Sequence, residues 1–312
     1  MVASRFTVFS IFAVVSAVAL GGCATQSEQA GTPAVSAVAT AAAADQAPDV
    51  AMPDTPLVRT TQSESLVRLG LLHIEGRGVE RDTGRGIAML RRAADLGDPD
   101  GFFRLGFSAY EGRIMPRDDA EAYRNFRIAS QGGSARATVY IAFMHANGRY
   151  LARSLVEARR WFALGAERGD REARYWFAVY ELEGRGGSVD IASGIANLQR
   201  AVDAKYPAAL RFQADLLRQG RFMDQDLPRA AALYAEAVDL RDTSAMVSLG
   251  MMYRDGRSVA QNDARAVALF RQAADTGLKS AKLHLAWMYE SGRGVPRDLA
   301  EAARLYAEAA SD

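Results

Sequence analysis

Residues 75–82 read Glu-Gly-Arg-Gly-Val-Glu-Arg-Asp, and the Gly-Arg pair inside this stretch returns every 36 residues. The seven copies are Gly76-Arg77, Gly112-Arg113, Gly148-Arg149, Gly184-Arg185, Gly220-Arg221, Gly256-Arg257 and Gly292-Arg293. A fixed period of this length is typical of solenoid proteins, because each repeat buries its apolar face against its neighbours.

Alignment of the copies on the glycine indicates two helices in each repeat. Seven positions before the glycine stands a large apolar residue in six of the seven copies, and the next residue is Gly or Ala, as in Leu69-Gly70. Fourteen positions after the glycine another large residue recurs, with a small one three positions later, as at Leu90 and Ala93. This spacing marks one face of a helix. Each repeat is therefore predicted to be helix A, a turn at Gly-Arg, and helix B.

The residues around the turn support this prediction. Glycine just past helix A suits the left-handed position that ends a helix. Six residues later every copy has Asp, Asn or Ser, as at Asp82, which is a good N-cap for helix B. In three copies the cap is followed by a glutamate that predicts a capping box, namely Glu121, Glu157 and Glu301.

These motifs resemble the Sel-one-like repeat, a branch of the tetratricopeptide superfamily. The resemblance is carried by Leu-Gly-Met-Met-Tyr-Arg-Asp-Gly-Arg at 249–257 and Tyr-Glu-Ser-Gly-Arg-Gly-Val-Pro-Arg-Asp at 289–298. It implies an all-α, right-handed α-solenoid of seven helix-turn-helix repeats over residues 65–312. It also implies a non-enzymatic scaffold. The middle repeats depart from the pattern, with Tyr150 and Phe222 in place of the second glycine and Gln213 in place of the core leucine.

The N-terminus is predicted to be a lipoprotein signal peptide over residues 1–22. Its apolar run is too short for a confident membrane span and ends in Leu20-Gly21-Gly22-Cys23, which resembles a bacterial lipobox. The resemblance implies that Cys23, the only cysteine of the sequence, becomes the acylated N-terminus. Ala24 is not the aspartate that commonly retains lipoproteins at the inner membrane. We therefore expect a lipid anchor in the bacterial outer membrane, facing the periplasm.

Residues 23–64 are predicted to be the acylated cysteine followed by a disordered Ala/Pro-rich tether. The segment combines an alanine tract with four prolines and lacks helical periodicity.

Charge and composition argue against several kinds of function. The chain has 38 basic and 37 acidic residues, and loss of the leader would remove Arg5, so nothing indicates a nucleic-acid partner. His73 and His145 occupy equivalent positions two repeats apart, too far apart to share a metal. No nucleophile–base constellation or phosphate-binding loop is evident. We expect no enzymatic activity, cofactor or metal.

Helix A carries an apolar stripe nine and five positions before the glycine, which lines the concave side in the tetratricopeptide superfamily. One interpretation is that the stripe is core between successive A helices. The other is that it forms a groove for a peptide or a partner helix. Arg211 and Asp215 interrupt the stripe in repeat five. The residues proposed for partner binding are Phe103, Phe107, Val139, Phe143, Tyr175, Val179 and Trp287.

The arginine after each glycine allows two interpretations as well. It can stabilise the end of helix A or pair with a nearby acid. Alternatively, the arginines form a ladder of cations that binds an anionic polysaccharide. The residues chosen to test this ladder are Arg113, Arg149, Arg185 and Arg221.

Together these features predict a cell-envelope scaffold or adaptor lipoprotein that binds other envelope proteins. The nearest functional analogy is the repeat lipoprotein that supports alginate-type polysaccharide export, which is similar in anchor and fold. The alternative is a module that binds glycan or peptidoglycan.

Overall fold

The computed structural model describes residues 50, 51, 53 and 56–311, and within them every regular element is a helix. In the order of the chain the helices are α1 Thr61–Glu75, α2 Thr83–Asp95, α3 Pro99–Glu111, α4 Asp119–Gln131, α5 Ala135–Asn147, α6 Leu155–Glu167, α7 Arg171–Glu183, α8 Ile191–Asp203, α9 Pro207–Gln219, α10 Leu227–Asp239, α11 Thr243–Asp255, α12 Asp263–Ala274, α13 Lys279–Ser291 and α14 Leu299–Ser311. Odd-numbered helices are the predicted A helices and even-numbered ones the B helices. The prediction of an all-α solenoid of seven helix-turn-helix repeats is confirmed.

The helices end where the sequence motif predicts. Every A helix ends at the glycine of its Gly-Arg pair, with φ between 66° and 70°. The predicted caps also form: Asp82 accepts a hydrogen bond from the backbone N–H of Arg85, and the cap residue of each other B helix does the same. Two predicted capping boxes are replaced by ion pairs within the helix, Glu157 with Arg160 and Glu301 with Arg304.

The small residues of helix A allow helix B to approach closely. A Cβ at Gly70 would lie 2.9 Å from the carbonyl oxygen of Gly86, and one at Gly250 would lie 2.6 Å from the Phe270 ring. The large residues of helix B fill the space that remains, and those of the first six repeats are fully buried. Packing of large against small residues therefore fixes the separation of the two helices.

Successive repeats pack through contacts between each B helix and the following A helix. The A helices also touch one another directly, as α5 touches α7. Within the described chain, α8 and α9, in repeats four and five, pack less extensively than the helices of the other five junctions. Lys205 there, and Arg241 one repeat later, adopt positive φ values of 53° and 67° at the place where other repeats have glycine.

The described structure begins inside the segment that we predicted to be a tether. Helix α1 begins at Thr61 and is capped by Thr60, so ordered structure starts before the expected boundary at residue 65. Val50 is buried and Leu57 packs against the cluster of Phe103 and Phe126. The end of the predicted tether is therefore part of the fold. The predicted signal peptide and Cys23 lie outside the described residues, and no described helix is long and apolar enough to span a membrane.

Candidate functional site

Most of the predicted binding stripe is core. Phe103, Val139, Tyr175 and Val179 are between 1% and 5% exposed. Their side chains lie in the core clusters between successive repeats, where they pack against other side chains and present almost no surface to a partner. Of the seven residues proposed for partner binding, Phe107, Phe143 and Trp287 keep exposed surface, and the hypothesis of a partner-binding groove is restricted to these three.

Four partly exposed aromatic residues form a continuous row on the A helices of repeats two to four. The ring centroids of Phe107 and Tyr140 lie 5.4 Å apart, those of Tyr140 and Phe143 6.4 Å, and those of Phe143 and Trp176 5.4 Å. Each contact is edge to face, the arrangement that aromatic quadrupoles favour. We call these four residues the aromatic row.

Buried rings hold the aromatic row in place. Tyr140 stacks on Phe126 at 5.1 Å, and Trp176 stacks on Phe162 at 6.1 Å. Phe126 and Phe162 are fully buried residues of the B helices. Because the rings rest on the core, a partner would lose little side-chain entropy in fixing them.

Two residues of the aromatic row were missed by the sequence analysis. Tyr140 and Trp176 stand eight positions before the glycine, where repeat five has Phe212. Three aromatic residues in one column of consecutive repeats were the available signal. The stripe was defined by the positions nine and five residues before the glycine. The position eight residues before it lies on the same side of the helix but was left out.

A carboxylate lies beside the aromatic row. Burial raises the pKa of Glu172, and the neighbouring Asp170 raises it further. Arg136 and hydrogen bonds from Trp176 and Tyr206 act in the opposite direction. The row is therefore amphipathic at one end, where a partner's donor groups can meet an acceptor.

Trp287, the last residue of the predicted stripe, lies apart in repeat seven and is 36% exposed. The guanidinium groups of Arg254 and Arg293 each lie 5.3 Å from a ring centroid of this tryptophan. These cation–π contacts leave the indole partly accessible.

Repeat five interrupts the stripe with an ion-pair network. Arg211 lies 3.3 Å from Asp242 and 3.6 Å from Asp215. The hydroxyl of Tyr234 donates to Asp215 at 2.6 Å and accepts a hydrogen bond from Arg218. The network links α9, α10 and the N-cap of α11.

The four arginines of the predicted ladder have different surroundings. Arg113 pairs with Glu111, and Arg185 pairs with Glu183. Arg221 lies 4.6 Å from the centroid of the Phe222 ring. Arg149 reaches into the preceding repeat, where it pairs with Asp119 and donates to the carbonyl oxygen of Tyr110. The four guanidinium groups therefore contact different kinds of partner and do not share one common arrangement.

In the described part of the chain, no group of three or more His, Cys, Asp or Glu side chains is placed to hold a metal ion. His73 approaches the carbonyl oxygen of Glu80 at 3.3 Å, and His145 is buried.

The comparisons with known proteins agree with this architecture. A model of the Sel1 repeat matches residues 63–98, 103–134, 135–170, 171–206, 207–242, 243–278 and 279–312. No curated protein matches the chain.

Solved structures show the same fold. A Sel1 repeat protein from Oxalobacter formigenes is 26% identical with a TM-score of 0.64, over 80% of this chain and 72% of that one. A protective antigen of uropathogenic Escherichia coli with an SLR fold is 23% identical with a TM-score of 0.60; the match covers 80% of this chain and 54% of the antigen. An immunity protein from Pseudomonas aeruginosa is 14% identical with a TM-score of 0.53, over 70% of this chain and 83% of that one.

Proposed function

Because the chain belongs to the Sel1 repeat family, we propose that it is a scaffold that binds protein partners through the aromatic row on its A helices. Sel1 repeat proteins commonly mediate protein–protein interactions, and the family is generally non-catalytic. The observation that carries the proposal is the row itself: its four aromatic residues keep exposed surface, whereas Phe103, Val139 and Tyr175 of the same helices are buried.

The chemistry of the row favours a protein partner. Aromatic residues and arginine dominate the binding energy of protein interfaces, because large rigid side chains bury much apolar area at little entropic cost. Arg136 lies 5.0 Å from the centroid of the Phe103 ring and extends the row at its edge. An amphipathic helix or an extended peptide with apolar anchors is the proposed ligand.

We also propose that this scaffold belongs to the bacterial envelope, as a lipoprotein anchored through Cys23 in the outer membrane and facing the periplasm. The lipobox-like sequence and Ala24 support this location. A role in polysaccharide export or envelope assembly belongs to the same proposal. Metabolic labelling with a fatty-acid analogue tests the anchor, with Cys23→Ser as the control. Mature protein with an unmodified cysteine would contradict it.

A glycan is the second candidate ligand. The observation that favours it is the position of Glu172 beside Trp176, since sugars bind to aromatic faces through their apolar sides and to carboxylates through their hydroxyls. Titration with peptidoglycan fragments and acidic oligosaccharides distinguishes the two candidates. Saturable binding that Trp176→Ala abolishes would favour the glycan.

The experiment that tests the main proposal is cross-linked capture from cell envelopes, followed by reconstitution with the purified partner. We expect Phe107→Ala and Trp176→Ala each to weaken the reconstituted complex by about thirtyfold, which corresponds to the hot-spot threshold of about 2 kcal/mol. Arg124→Ala, an exposed position on helix α4, is the matched control and should bind as the parent does. Equal affinity of all variants would remove the row from the interface.

A further inference from the structure

A second binding feature lies away from the aromatic row. Helices α8, α9 and α10, with the turn after α9 and Ser258 of the next repeat, line a cleft of about 700 Å³. Helix α8 provides Ile195 and Gln199, helix α9 provides Gln213 and Leu217, and the turn after α9 provides Met223 and Asp224. The cleft therefore combines apolar walls with three carboxamides, two carboxylates and the guanidinium group of Arg229.

Gln213 is the unusual residue of this cleft. It occupies the column seven positions before the glycine, where every other repeat has a large apolar residue. Only 3% of its surface is exposed. The Nε2 atom donates to Oε1 of Gln199 at 2.9 Å, whereas Oε1 of Gln213 accepts no hydrogen bond from any described residue. A buried acceptor without a donor costs about 1–3 kcal/mol.

The neighbouring hydrogen bonds make this oxygen a strong acceptor. Gln199 donates from its own Nε2 to the carboxylate of Asp203 at 2.8 Å. The chain of donors thus runs from Gln213 through Gln199 to a negative charge. Each bond polarises the next, so the carboxylate increases the negative partial charge on Oε1 of Gln213. A cationic donor is the group that such an oxygen favours most.

Three charged residues line the cleft, Asp224, Asp226 and Arg229, and the excess of acid favours the same kind of ligand. Asp224 is exposed and forms no ion pair with the described residues. Asp226 also lines the cleft and accepts the backbone N–H of Arg229 at 2.9 Å as the N-cap of α10. Leu217 and Met223 offer an apolar wall, against which the methylene stem of a long basic side chain can pack.

We propose that this cleft receives a lysine or arginine side chain of the protein partner, whose N–H group donates to Oε1 of Gln213 while its charge faces Asp224. The proposal rests on the scaffold function and adds to it a specificity position outside the aromatic row. It explains why a polar residue occupies a core column in this repeat: the oxygen gains its missing donor when the partner binds.

The test uses the full chain with 15N-labelled glutamine side chains and free arginine amide as the probe, so it does not depend on knowing the partner. We expect arginine amide to shift the Nε2 resonances of Gln213 and Gln199 in a saturable manner and to leave those of the exposed Gln261 unchanged. Citrulline amide, which has the same shape without the charge, should bind at least fivefold more weakly.

Two variants make the result decisive. Gln213→Leu restores the apolar residue of the column and should abolish the shift at Gln199, while its melting temperature shows that the fold is kept. Asp224→Asn keeps the shape of the cleft and should weaken binding severalfold. No shift in the parent, equal shifts with citrulline amide, or an unchanged Gln199 shift in the leucine variant would each overturn the proposal. None of these outcomes affects the aromatic row, which the capture experiment tests separately.

Discussion

Arg293 forms a two-pronged ion pair with Asp263, thirty residues earlier in the chain: Nε donates to Oδ2 at 3.0 Å and Nη2 to Oδ1 at 2.7 Å. The same Nη2 also donates to the carbonyl oxygen of Arg254 at 2.7 Å. Nη2 of Arg149 makes the equivalent contacts with Asp119 and with the carbonyl oxygen of Tyr110, whereas its Nε has no hydrogen-bond partner among the described residues. In both cases the arginine of one Gly-Arg turn binds the first residue of the preceding B helix and the end of the preceding A helix. We call this arrangement the arginine clamp.

The clamp forms where the preceding B helix begins with aspartate. Asp119 and Asp263 are the first residues of α4 and α12. The other B helices that precede a Gly-Arg turn begin with Thr83, Leu155, Ile191 and Leu227. Arg113 and Arg185, which follow two of them, pair with acids of their own repeat instead. One residue of the preceding repeat therefore decides whether the arginine links two repeats.

This rule predicts that a clamp can be introduced by one substitution. Ile191 is 45% exposed, so Ile191→Asp removes little buried surface. The new carboxylate would stand at the first position of α8, thirty residues before Arg221, as Asp263 stands thirty residues before Arg293. We expect the free energy of unfolding to rise by about 0.5–1 kcal/mol, from the helix dipole and the ion pair together. Denaturant unfolding measures it. The gain should shrink by about half when Arg221→Gln is added; a gain that survives in full would show that no clamp forms.

The natural clamp predicts a dependence of stability on pH. A hydrogen bond from Arg117, with a further one from Arg149, lowers the pKa of Asp119 to about 2. Because the pKa is lower in the folded state than in the unfolded chain, this carboxylate stabilises the fold above about pH 4, and the contribution is lost as the pH falls towards 2. The stability difference between the parent and Asp119→Asn should therefore be largest near neutral pH and should vanish near pH 2. A constant difference across this range would contradict the assignment.

Much of this architecture can be predicted from the sequence, because local rules decide it. The glycine of each Gly-Arg pair needs a left-handed backbone, and the residue six positions later needs a side-chain oxygen, so both helix boundaries are encoded locally. The clamp is different. Arg149 and Asp119 belong to two repeats, and their contact depends on how those repeats stack, which no single motif specifies.

The candidate site was predicted in part for a similar reason. Helical spacing correctly grouped Phe103 with Phe107, yet it does not tell which member of such a pair faces the next repeat. Burial separates them: Phe103 is 2% exposed, whereas Phe107 keeps accessible surface. The open acceptor of Gln213 depends on its distances to neighbouring side chains, and these follow from packing alone.

Replacement of these two phenylalanines tests whether Phe103 belongs to the core and Phe107 to the binding surface. Phe103→Ala removes a core ring and should lower the free energy of unfolding by about 3–5 kcal/mol. Phe107→Ala removes a partly exposed ring of the aromatic row and should cost less than half as much, because less apolar area is lost from the core. Thermal or denaturant unfolding of both variants decides the matter. Equal losses would place Phe107 in the core and remove it from the binding surface.

In the turns after the B helices, substitution at two equivalent positions with positive φ is predicted to change stability in opposite directions. Arg241 has a φ of 67°, which costs a non-glycine residue about 1–2 kcal/mol. Arg241→Gly should relieve this strain and, after the entropy of the more flexible unfolded chain, raise stability by about 0.5 kcal/mol. Gly133 occupies the equivalent position with a φ of 90° and open space around its missing Cβ, so Gly133→Ala should destabilise through the backbone alone. Changes of the same sign in both variants would contradict the assignment.

Site-specific photo-cross-linking tests the central claim, that the aromatic row binds a protein partner, most directly. A photoreactive phenylalanine analogue is placed at residue 107 or 176, and for comparison at the exposed residue 124, in cells that make the full chain. The account predicts one discrete cross-linked envelope protein from residues 107 and 176, lost when Phe143→Ala is added, and none from residue 124. The same cross-links from residue 124, or none from residues 107 and 176 while the chain still captures its partner, would contradict it.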